Sequence, residues 1–327
     1  MRILVTGSAG HLGEALMRVL QHSNHEAMGL DIKPSAFTQR VGSVTQRSFV
    51  KQCMQGVDVV LHTATLHKPH IATHTRQEFV DTNITGTLNL LEEAVSVGVK
   101  SCVFTSTTSA FGRSLLAPAG APAAWITEDT ASLPRNIYGT TKLAAEQLCE
   151  LFHYRSGLPC VILRTSRFFP EEDDDRATRN TYSDDNLKLN EFLYRRADIE
   201  DVVDAHMLAI HRASAIGFNR YIISATSPFT RDDLRELRVD AASVVRRCVP
   251  GYEDEYARRG WSMTPTIDRV YVNERARVEL GWRPRYDFGF LIQRLHASED
   301  YRSPLARAVG SKGYHAESFS AGPYPTE

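Results

Sequence analysis

Short runs of apolar residues alternate with longer segments in which apolar residues recur every three or four positions over the first half of the chain. Uninterrupted apolar runs are typical of strands buried on both faces, whereas the wider spacing is typical of amphipathic helices. The first run is Ile3-Leu4-Val5, and the sixth predicted strand covers residues 160–163. Six strands that alternate with helices predict an α/β fold with a doubly wound parallel sheet.

The pattern changes after residue 166, which indicates how the chain is divided. Residues 1–166 are predicted to form one domain, and residues 198–226 are predicted to return to it with a late strand at 220–224. Residues 167–327 should form a smaller substrate-binding region over the strand ends, where open α/β sheets bind ligands. From about residue 303 the sequence is rich in Gly, Ser, Pro and Tyr without periodicity. It predicts a disordered tail, with a tail that wraps a neighbouring subunit as the alternative.

The first strand leads directly into a glycine-rich turn. Gly7, Gly10 and Gly13 are spaced by three, and apolar residues at helical spacing follow them. Strand, glycine turn and helix together form the context of a Rossmann dinucleotide site, in which the backbone approaches a pyrophosphate at a helix N-terminus. The spacing differs from the more familiar Gly-x-Gly-x-x-Gly, and an ordinary glycine turn is the alternative.

The second predicted strand ends on Asp31. A carboxylate at this position would accept hydrogen bonds from the adenosine ribose and repel a 2′-phosphate, which favours NAD over NADP as cofactor. Lys33 lies close enough to weaken this argument, and an ordinary loop aspartate is the alternative.

Four histidines crowd the region after the strand at 57–62: His62, His67, His70 and His74. His70 and His74 could share a helix face, but no Glu lies between them and no cysteine is available as a further ligand, so no metal site is predicted. Loop or substrate-facing histidines are expected instead.

Tyr138 and Lys142 lie four residues apart, which places a phenol and an ammonium on one face of a helix. The lysine should lower the phenol's pKa from about 10 toward the range of a general base that removes a proton from an alcohol. An amphipathic helix with a solvated lysine is the alternative. A hydroxyl from the polar run at 105–109 could bind the substrate oxygen, although a polar strand end explains the run equally well.

Three further segments carry local structural signals. Residues 79–97 predict a long helix interrupted by Asn83 and Gly86, which invites a packing or functional reason. Residues 116–135 are rich in Pro, Ala and Gly and predict a loop over the site. Thr230 and Asp233 predict a capping box at the start of a later helix.

Composition narrows the class of partner. The 38 Lys and Arg residues nearly cancel the 39 Asp and Glu residues, so neither nucleic acid nor an anionic membrane is favoured and a small molecule is the expected ligand. The five cysteines are scattered, which argues against disulfides and structural zinc. No signal peptide or membrane-spanning run is recognised, and the expected location is the cytoplasm.

Taken together, these motifs resemble the extended short-chain dehydrogenase/reductase family, in its branch of NAD-dependent sugar-nucleotide epimerases and dehydratases. The resemblance covers residues 1–164 well and resumes at 198–206 and 279–284. The matching pieces are Thr6-Gly7-x-x-Gly10-x-x-Gly13, Asp31, Asp58-Val59-Val60-Leu61-His62, Asn83-x-x-Gly86-Thr87-x-Asn89, the run 105–112, Tyr138-x-x-x-Lys142 and Leu163-Arg164.

The resemblance implies a role for each matching position. Tyr138 would be the general base, Lys142 would hold the nicotinamide ribose and lower the tyrosine pKa, Thr107 would bind the reacting oxygen, and Asn83 would support the active-site backbone. Substrate binding would fall to Thr107, Thr108 and Arg167, with no metal. The residues expected to bind NAD are Gly7, Gly10, His11, Leu12, Gly13, Asp31, Ile32, Ser43, Val44, Thr63, Ala64, Thr65, Tyr138 and Lys142. A homodimer paired through the Asn83 and Tyr138 helices is also implied.

Departures from the family pattern constrain the reaction. No acid follows Thr107, so elimination of water is poorly supported. Arg167 stands where relatives carry a diphosphate-binding Asn, and it could clamp a carboxylate or phosphate or form a surface salt bridge. The acidic run at 171–175 is expected to be a solvated loop. Ser43 replaces an acid that contacts adenine in the family, which would loosen adenine recognition.

Three functions are therefore compared. The first is an NAD-dependent epimerase of a sugar, with a nucleotide-linked sugar as the expected substrate; it would be similar to UDP-glucose 4-epimerase and act through a transient keto intermediate. The second is an NAD-dependent dehydrogenase of a free sugar or sugar acid, similar to uronate dehydrogenase. The third is a non-catalytic NAD sensor, which the complete set of Thr107, Tyr138 and Lys142 disfavours.

Overall fold

The computed structural model describes residues 1–315, 319 and 322, and it contains the predicted doubly wound parallel sheet. The nine strands of the described residues are β1 Arg2–Thr6, β2 Glu26–Asp31, β3 Arg40–Val41, β4 Val59–His62, β5 Ser101–Thr107, β6 Ala124–Ile126, β7 Cys160–Thr165, β8 Phe218–Ile223 and β9 Arg269–Tyr271. Seven of them form one sheet in the order β3-β2-β1-β4-β5-β7-β8, with every pair parallel. The predicted late strand at 220–224 is thus confirmed as β8.

Helices connect these strands. Their bounds are α1 His11–Gln21, α2 Arg47–Cys53, α3 Arg76–Val80, α4 Gly86–Val97, α5 Ile137–Ser156, α6 Arg176–Thr181, α7 Asp184–Phe192, α8 Ile199–Ile216, α9 Leu234–Leu237, α10 Ala241–Cys248, α11 Tyr252–Arg259, α12 Phe288–His296 and α13 Pro304–Val309. None of the helices in the described part of the chain is long and apolar enough to cross a bilayer.

The sheet is covered on both faces, which explains the uninterrupted apolar runs. Alternate residues of β1 point to opposite faces, so Ile3 and Val5 pack with α1 and α8 whereas Leu4 packs with α4 and α5. The strand order places β1 and β4 side by side at the point where the chain reverses direction across the sheet. Ligands of doubly wound sheets bind beyond the strand ends at this point.

The predicted interruption of the helix at 79–97 is present as a π-turn. Residues Asp81–Thr85 form the π-turn between α3 and α4, and Asn83 lies buried within it. Such turns widen a helix by one residue per turn and are frequent at functional sites. Gly86 follows because a Cβ there would meet Val44 Cγ2 at 2.6 Å.

A second apolar cluster lies beyond the sheet. It joins side chains of α7 and of α9 to α12, including Leu237, Val245 and Phe288. The predicted loop at 116–135 contributes to this region through β6, which pairs with β9, so that prediction is wrong for residues 124–126. The division into an NAD-binding domain and a smaller substrate-binding region remains a prediction.

Two local predictions are tested after residue 226. The capping box is present, since the Asp233 carboxylate accepts the Thr230 amide at 2.7 Å and the Thr230 hydroxyl at 3.0 Å. The flexibility expected from about residue 303 remains a prediction; in the structure Ser303 caps α13, and residues 311–314 line the cleft. The remainder of the predicted tail falls outside the described residues, apart from Phe319 and Gly322.

Candidate active site

A cleft of about 1190 Å³ opens at the carboxyl ends of β1, β2, β4, β5 and β7. This volume exceeds that of a typical drug-sized pocket and leaves room for a dinucleotide with a second molecule beside it. All the predicted site residues except Asn83 and Lys142 line the cleft, and these two are buried behind its wall. The structure therefore brings the predicted residues together, although their contacts with ligands remain predictions.

The glycine turn is built for close backbone packing. Gly7 has a φ of +75°, and a Cβ at this residue would lie 2.8 Å from the Ala64 amide nitrogen. At Gly13 a Cβ would lie 1.9 Å from the Gly7 carbonyl oxygen, so any side chain would force the turn away from α1. Gly10 and His11 begin α1 at the cleft, where the free amides of a helix N-terminus favour an anion.

Asp31 closes this turn from the end of β2. Its Oδ2 accepts the Ala9 amide at 3.0 Å and its Oδ1 accepts the Lys33 amide at 2.9 Å. A carboxylate has about four lone-pair positions, so Asp31 can still accept hydrogen bonds from ribose hydroxyls. Ile32 beside it is 64% exposed, lines the cleft and could cover one face of a ring.

Ser43 and Val44 line the neighbouring part of the cleft. The Ser43 hydroxyl is within 2.8 Å of the Thr45 hydroxyl, and it also accepts the Thr45 amide at 3.2 Å. Val44 is buried against Gly86, so it contributes a fixed apolar edge. This edge carries no charge, consistent with the expectation of loose adenine recognition.

Asn83 braces the floor of the cleft. Its Oδ1 accepts the Leu66 amide at 2.8 Å and the Thr65 hydroxyl at 2.9 Å. Its Nδ2 donates to the Leu66 carbonyl at 2.8 Å and to the Thr141 hydroxyl at 2.9 Å. The π-turn thereby ties the segment after β4 to α5, which matches the supporting role that the family resemblance implies.

Tyr138 and Thr107 meet at the centre of the cleft. Asn136 caps α5 by accepting the Gly139 amide, which places Tyr138 in its first turn. Thr107 ends β5, and its hydroxyl lies beside the Tyr138 phenol while accepting the Ser109 amide at 3.1 Å. A substrate alcohol that reached this point would contact two hydroxyls, one of them a phenol.

Lys142 lies one turn further along α5 and is 2% exposed. Its Nζ rests 3.9 Å from the centre of the Phe104 ring. Burial lowers the pKa of the Lys142 ammonium from 10.5 to about 7, although Glu146 opposes the shift. The lysine is therefore easily deprotonated, in contrast to a solvated lysine.

The expectation that Lys142 lowers the pKa of Tyr138 is wrong for this structure. Burial raises the pKa of the Tyr138 phenol to about 12, and the neighbouring Thr107 hydroxyl only partly offsets the shift. The physical reason is desolvation, which disfavours the phenolate and the ammonium alike. Above about pH 7 the buried pair is therefore most stable with both groups neutral.

A buried ion pair supports this region from behind. Glu146 accepts two hydrogen bonds from Arg164, at 3.0 Å from Nε and 2.7 Å from Nη2, and one from the Ser106 hydroxyl at 2.5 Å. Arg164 stacks on Phe111 with its guanidinium carbon 4.8 Å from the ring centre. The pair fixes β5 and β7 to α5 directly beside Lys142.

Arg167 occupies an ion-pair network at the other end of the cleft. Its Nη1 donates to Asp173 at 2.5 Å and to Glu191 at 2.8 Å, and Glu191 also binds Arg195 and Arg196. The surface salt bridge considered for Arg167 is therefore wrong, because Glu191 is fully buried. Whether Arg167 also binds a substrate anion remains a prediction.

The acidic run at 171–175 is not a solvated loop. Glu171 binds His11 at 2.7 Å with only 6% of its side chain exposed, and Asp173 is buried against Arg167. Only Glu172 and Asp175 of this run are exposed. The buried acids of the run are paired with basic side chains of the cleft wall, so they do not need water to stabilise their charge.

The four histidines have different environments. His62 is buried at the end of β4, between the hydroxyls of Thr6 at 2.8 Å and Thr87 at 3.0 Å, and burial lowers its pKa to about 3. It is a core residue, contrary to the expectation of a loop or substrate-facing position. His67 and His70 do line the cleft. Among the described residues no group of His, Cys, Asp and Glu is arranged to hold a metal ion.

Several cleft residues were not anticipated from the sequence. They come from distant segments: Leu115, Arg195, Arg269, Tyr271 and residues 311–314. β9 carries Arg269 and Tyr271 to the cleft only because it pairs with β6, and no local pattern announces this pairing. The Tyr314 ring lies edge-on to His67 with centroids 4.7 Å apart, a contact between residues almost 250 positions apart.

The cleft fits NAD by its own geometry. Gly7 and Gly13 leave the backbone bare where a pyrophosphate would meet the start of α1, Asp31 offers carboxylate lone pairs to a ribose, and Thr63-Ala64-Thr65 line the path to Tyr138. These residues would hold the dinucleotide along the strand ends. The ribose-side acid favours NAD, since a 2′-phosphate would meet a second negative charge there.

Comparison with known proteins agrees with this geometry. The chain is 31% identical over 166 residues to the y4nG protein of Sinorhizobium fredii, a match covering 49% of this chain but only 39% of that protein. It is 24% identical over 315 residues to a UDP-glucose 4-epimerase of Streptomyces lividans, covering 86% of this chain and 91% of the relative.

A crystal structure of a short-chain dehydrogenase/reductase superfamily protein from Agrobacterium tumefaciens, with bound NAD, shares the fold. Its TM-score is 0.66 at 23% identity, covering 91% of this chain and 97% of that one. The profile of the NAD dependent epimerase/dehydratase family matches residues 3–223, from β1 to the end of β8. The glycine turn, Thr107, Tyr138 and Lys142 all lie within this match, and the chain belongs to the NAD dependent epimerase/dehydratase family.

Proposed function

We propose that this protein is an NAD-dependent epimerase. It would oxidise one hydroxyl group of a sugar to a ketone and then reduce the ketone from its other face. The observation that carries the proposal is the contact between Thr107 and Tyr138, above the buried Lys142, at the end of a cleft shaped for a dinucleotide. Bound NAD would supply a reversible acceptor for the hydride of the carbinol carbon.

Protein groups would manage the hydroxyl proton. Thr107 would hold the reacting oxygen, and Tyr138 would take the proton as a phenolate and return it in the second half of the cycle. A neutral phenol with a neutral amine carries the same number of protons as a phenolate with an ammonium. The pair of Tyr138 and Lys142 can therefore enter the reactive state without a change in the net charge of the buried site.

A nucleotide-linked sugar is the proposed substrate class. The support is the UDP-glucose 4-epimerase of Streptomyces lividans, which this chain matches over nearly its whole length. The cleft volume of about 1190 Å³ also leaves space beyond the dinucleotide. No carboxylic acid follows Thr107, so dehydration has no general acid at that position.

The test is incubation of purified protein with UDP-glucose and separation of the sugar nucleotides by chromatography. Conversion to the 4-epimer without net NADH formation is the expected result. Accumulation of NADH in proportion to the substrate consumed would contradict the epimerase proposal. The Tyr138→Phe variant is the matched negative control, since it removes the proton acceptor and preserves the ring.

A second candidate is an NAD-dependent dehydrogenase of a free sugar or sugar acid. The observation that favours it is the set of guanidinium groups at the cleft: Arg167, Arg195 and Arg269. Such groups bind a carboxylate well. Hexuronic acids assayed with NAD would distinguish it, because only this candidate predicts net NADH.

Assembly and cellular location are proposed from the family resemblance. The homodimer would pair through α4 and α5, whose outer surfaces expose Val95, Leu151 and Tyr154. Tyr154 is 73% exposed, and an aromatic side chain at such exposure is typical of an interface. Sedimentation analysis of Tyr154→Glu would show a monomer if this face pairs the subunits. The proposed location is the cytoplasm.

A further inference from the structure

Residues 311–314 cross the cleft next to the glycine turn, although they lie about three hundred positions away in the chain. All four line the same cavity as Gly10 and His11. α13 delivers them, because it packs against α1 and α8 and ends just before Gly310. The segment therefore forms a wall of the cleft beside the point where α1 begins.

Glu171 anchors this segment. Its Oε1 accepts the Ser311 hydroxyl at 2.9 Å, the Lys312 amide at 3.0 Å and the Gly313 amide at 3.1 Å. The same oxygen binds His11 Nε2 at 2.7 Å. Burial opposes ionisation of Glu171, but the hydrogen bond from His11 and those from the segment outweigh it and lower its pKa to about 2.

Two side-chain contacts extend the anchor in both directions. Lys312 Nζ binds Glu14 of α1 at 2.5 Å. At the other side the Tyr314 ring packs edge-on against His67 at 4.7 Å and against Phe169 at 6.0 Å. His67 in turn lies 6.2 Å from the Tyr138 ring, so the segment reaches from the glycine turn to the catalytic region.

We propose that residues 311–314 act as a strap, fastened by Glu171, that closes the cofactor side of the cleft and slows the release of NAD. An ionised carboxylate that accepts four donors is a strong local anchor, because charge-assisted hydrogen bonds exceed neutral ones in strength. The strap must detach from Glu171 before this wall of the cleft can open.

Such a strap suits an enzyme that returns the hydride to the same substrate. Cofactor release in mid-cycle would leave a keto intermediate with no reductant, whereas a dehydrogenase has to exchange its cofactor at every turnover. The inference rests on the proposed function, because it assumes that NAD is a retained cofactor. Its test, however, measures cofactor release in the absence of any sugar.

The test compares four variants of the full chain. Glu171→Ala removes the anchor and Glu172→Ala is its control, since Glu172 is an exposed neighbour of equal charge. A chain that ends at Gly310 lacks the strap, and a chain that ends at His315 keeps it. NADH is bound to each protein, its release into excess NAD is followed by fluorescence, and retention through gel filtration is measured in parallel.

Glu171→Ala and the chain ending at Gly310 should release NADH about tenfold faster or more, which corresponds to about 1.4 kcal/mol. Both controls should remain within about twofold of the unmodified protein. Equal release rates in all five proteins would overturn the strap. Slower release or tighter binding in the shortened chain would also overturn it, because the segment would then occupy the cofactor's place. Thermal unfolding without ligand shows whether Glu171→Ala is folded, and the shortened chain keeps Glu171 intact.

The outcome is independent of the proposed reaction. If NADH release depends on Glu171 but the protein does not epimerise UDP-sugars, the epimerase proposal is overturned and the strap proposal stands. If the protein epimerises UDP-sugars but NADH release does not depend on Glu171, only the strap proposal is overturned.

Discussion

Tyr138 and Lys142 show how burial sets the chemistry of single residues. Each would be charged in the reactive state, yet burial raises the pKa of the phenol to about 12 and lowers that of the ammonium to about 7. The reactive residues are therefore held at a cost to the stability of the protein.

Replacement of Tyr138 by Phe should lower kcat by about 10²- to 10⁴-fold, because the ring remains while the proton acceptor is lost. NAD affinity, measured by titration, should change by less than about threefold. Tyr154→Phe makes the same substitution at a tyrosine that is 73% exposed and lies outside the cleft, and it serves as the control. Retention of activity in Tyr138→Phe would exclude Tyr138 from the mechanism.

Replacement of Lys142 by Met should stabilise the ligand-free protein at neutral pH by on the order of 1–3 kcal/mol while it abolishes activity. The folded-state pKa of Lys142 is about 7 and its ordinary value is 10.5, so between these values the unfolded chain binds a proton that the folded protein lacks. The free energy of unfolding of the unmodified protein should therefore rise from about pH 7 toward 10.5 through this group. Below pH 7 both states bind the proton, so the full cost of burying the Lys142 ammonium persists.

Urea unfolding of both proteins at several pH values measures this difference. The advantage of Lys142→Met should be largest below pH 7 and shrink above it. A variant that is less stable than the unmodified protein at pH 6 would contradict the pKa assignment, and would instead give more weight to the contacts with Phe104 and Glu146.

At the scale of elements, the glycine turn and the π-turn meet the requirements of the cleft by different means. The glycine turn works by the absence of side chains, whereas the π-turn works by aiming Asn83 at the Thr65 hydroxyl and the Leu66 backbone. Both hold main-chain atoms in fixed positions. Both also interrupt an otherwise regular pattern of apolar residues in the sequence.

Gly13→Ala tests the glycine turn. A Cβ would lie 1.9 Å from the Gly7 carbonyl oxygen, so the turn must shift and NAD affinity should fall by at least about tenfold. Gly289→Ala in α12 is the matched control, because its Cβ would find only ordinary contact at 3.5 Å and alanine favours a helix. Isothermal titration with NAD compares the two, and equal affinities would contradict the tight packing at Gly13.

Elements with a strong local pattern were predictable from the sequence. β1, the glycine turn, the interruption at Asn83 and the cap at Thr230 were all foreseen, because each depends on residues within a few positions. The pairing of β6 with β9 was not foreseen, and with it the placement of Arg269 was missed. Such pairings are decided by packing between distant segments and leave no local signature.

The same distinction explains the errors at the site. The acidic run around Glu171 has the composition of a solvated loop, and only the arrival of His11 and residues 311–313 makes its burial favourable. The pKa of Tyr138 likewise depends on how completely the folded chain excludes water. Sequence spacing identified the reactive groups, but it could not supply their solvation.

At the scale of the whole molecule, ligand binding and folding are linked through the cleft. The cavity draws its walls from segments spread between residues 7 and 271 and from residues 311–314, so the cleft forms only when these distant segments are folded together. A ligand that binds only this state must raise the free energy of unfolding, by about 2.7 kcal/mol when its concentration is one hundred times Kd.

NAD should therefore raise the unfolding temperature more than NADP at equal concentration, because the 2′-phosphate of NADP would meet the carboxylate of Asp31. Asp31→Asn should narrow the difference between the two cofactors, since the amide oxygen can still accept the Ala9 amide that Asp31 Oδ2 accepts at 3.0 Å, but the negative charge is lost. Differential scanning fluorimetry over a range of cofactor concentrations measures both effects. An unchanged preference in Asp31→Asn would place the discrimination elsewhere in the cleft, with Lys33 and Ser43 as the nearest polar candidates.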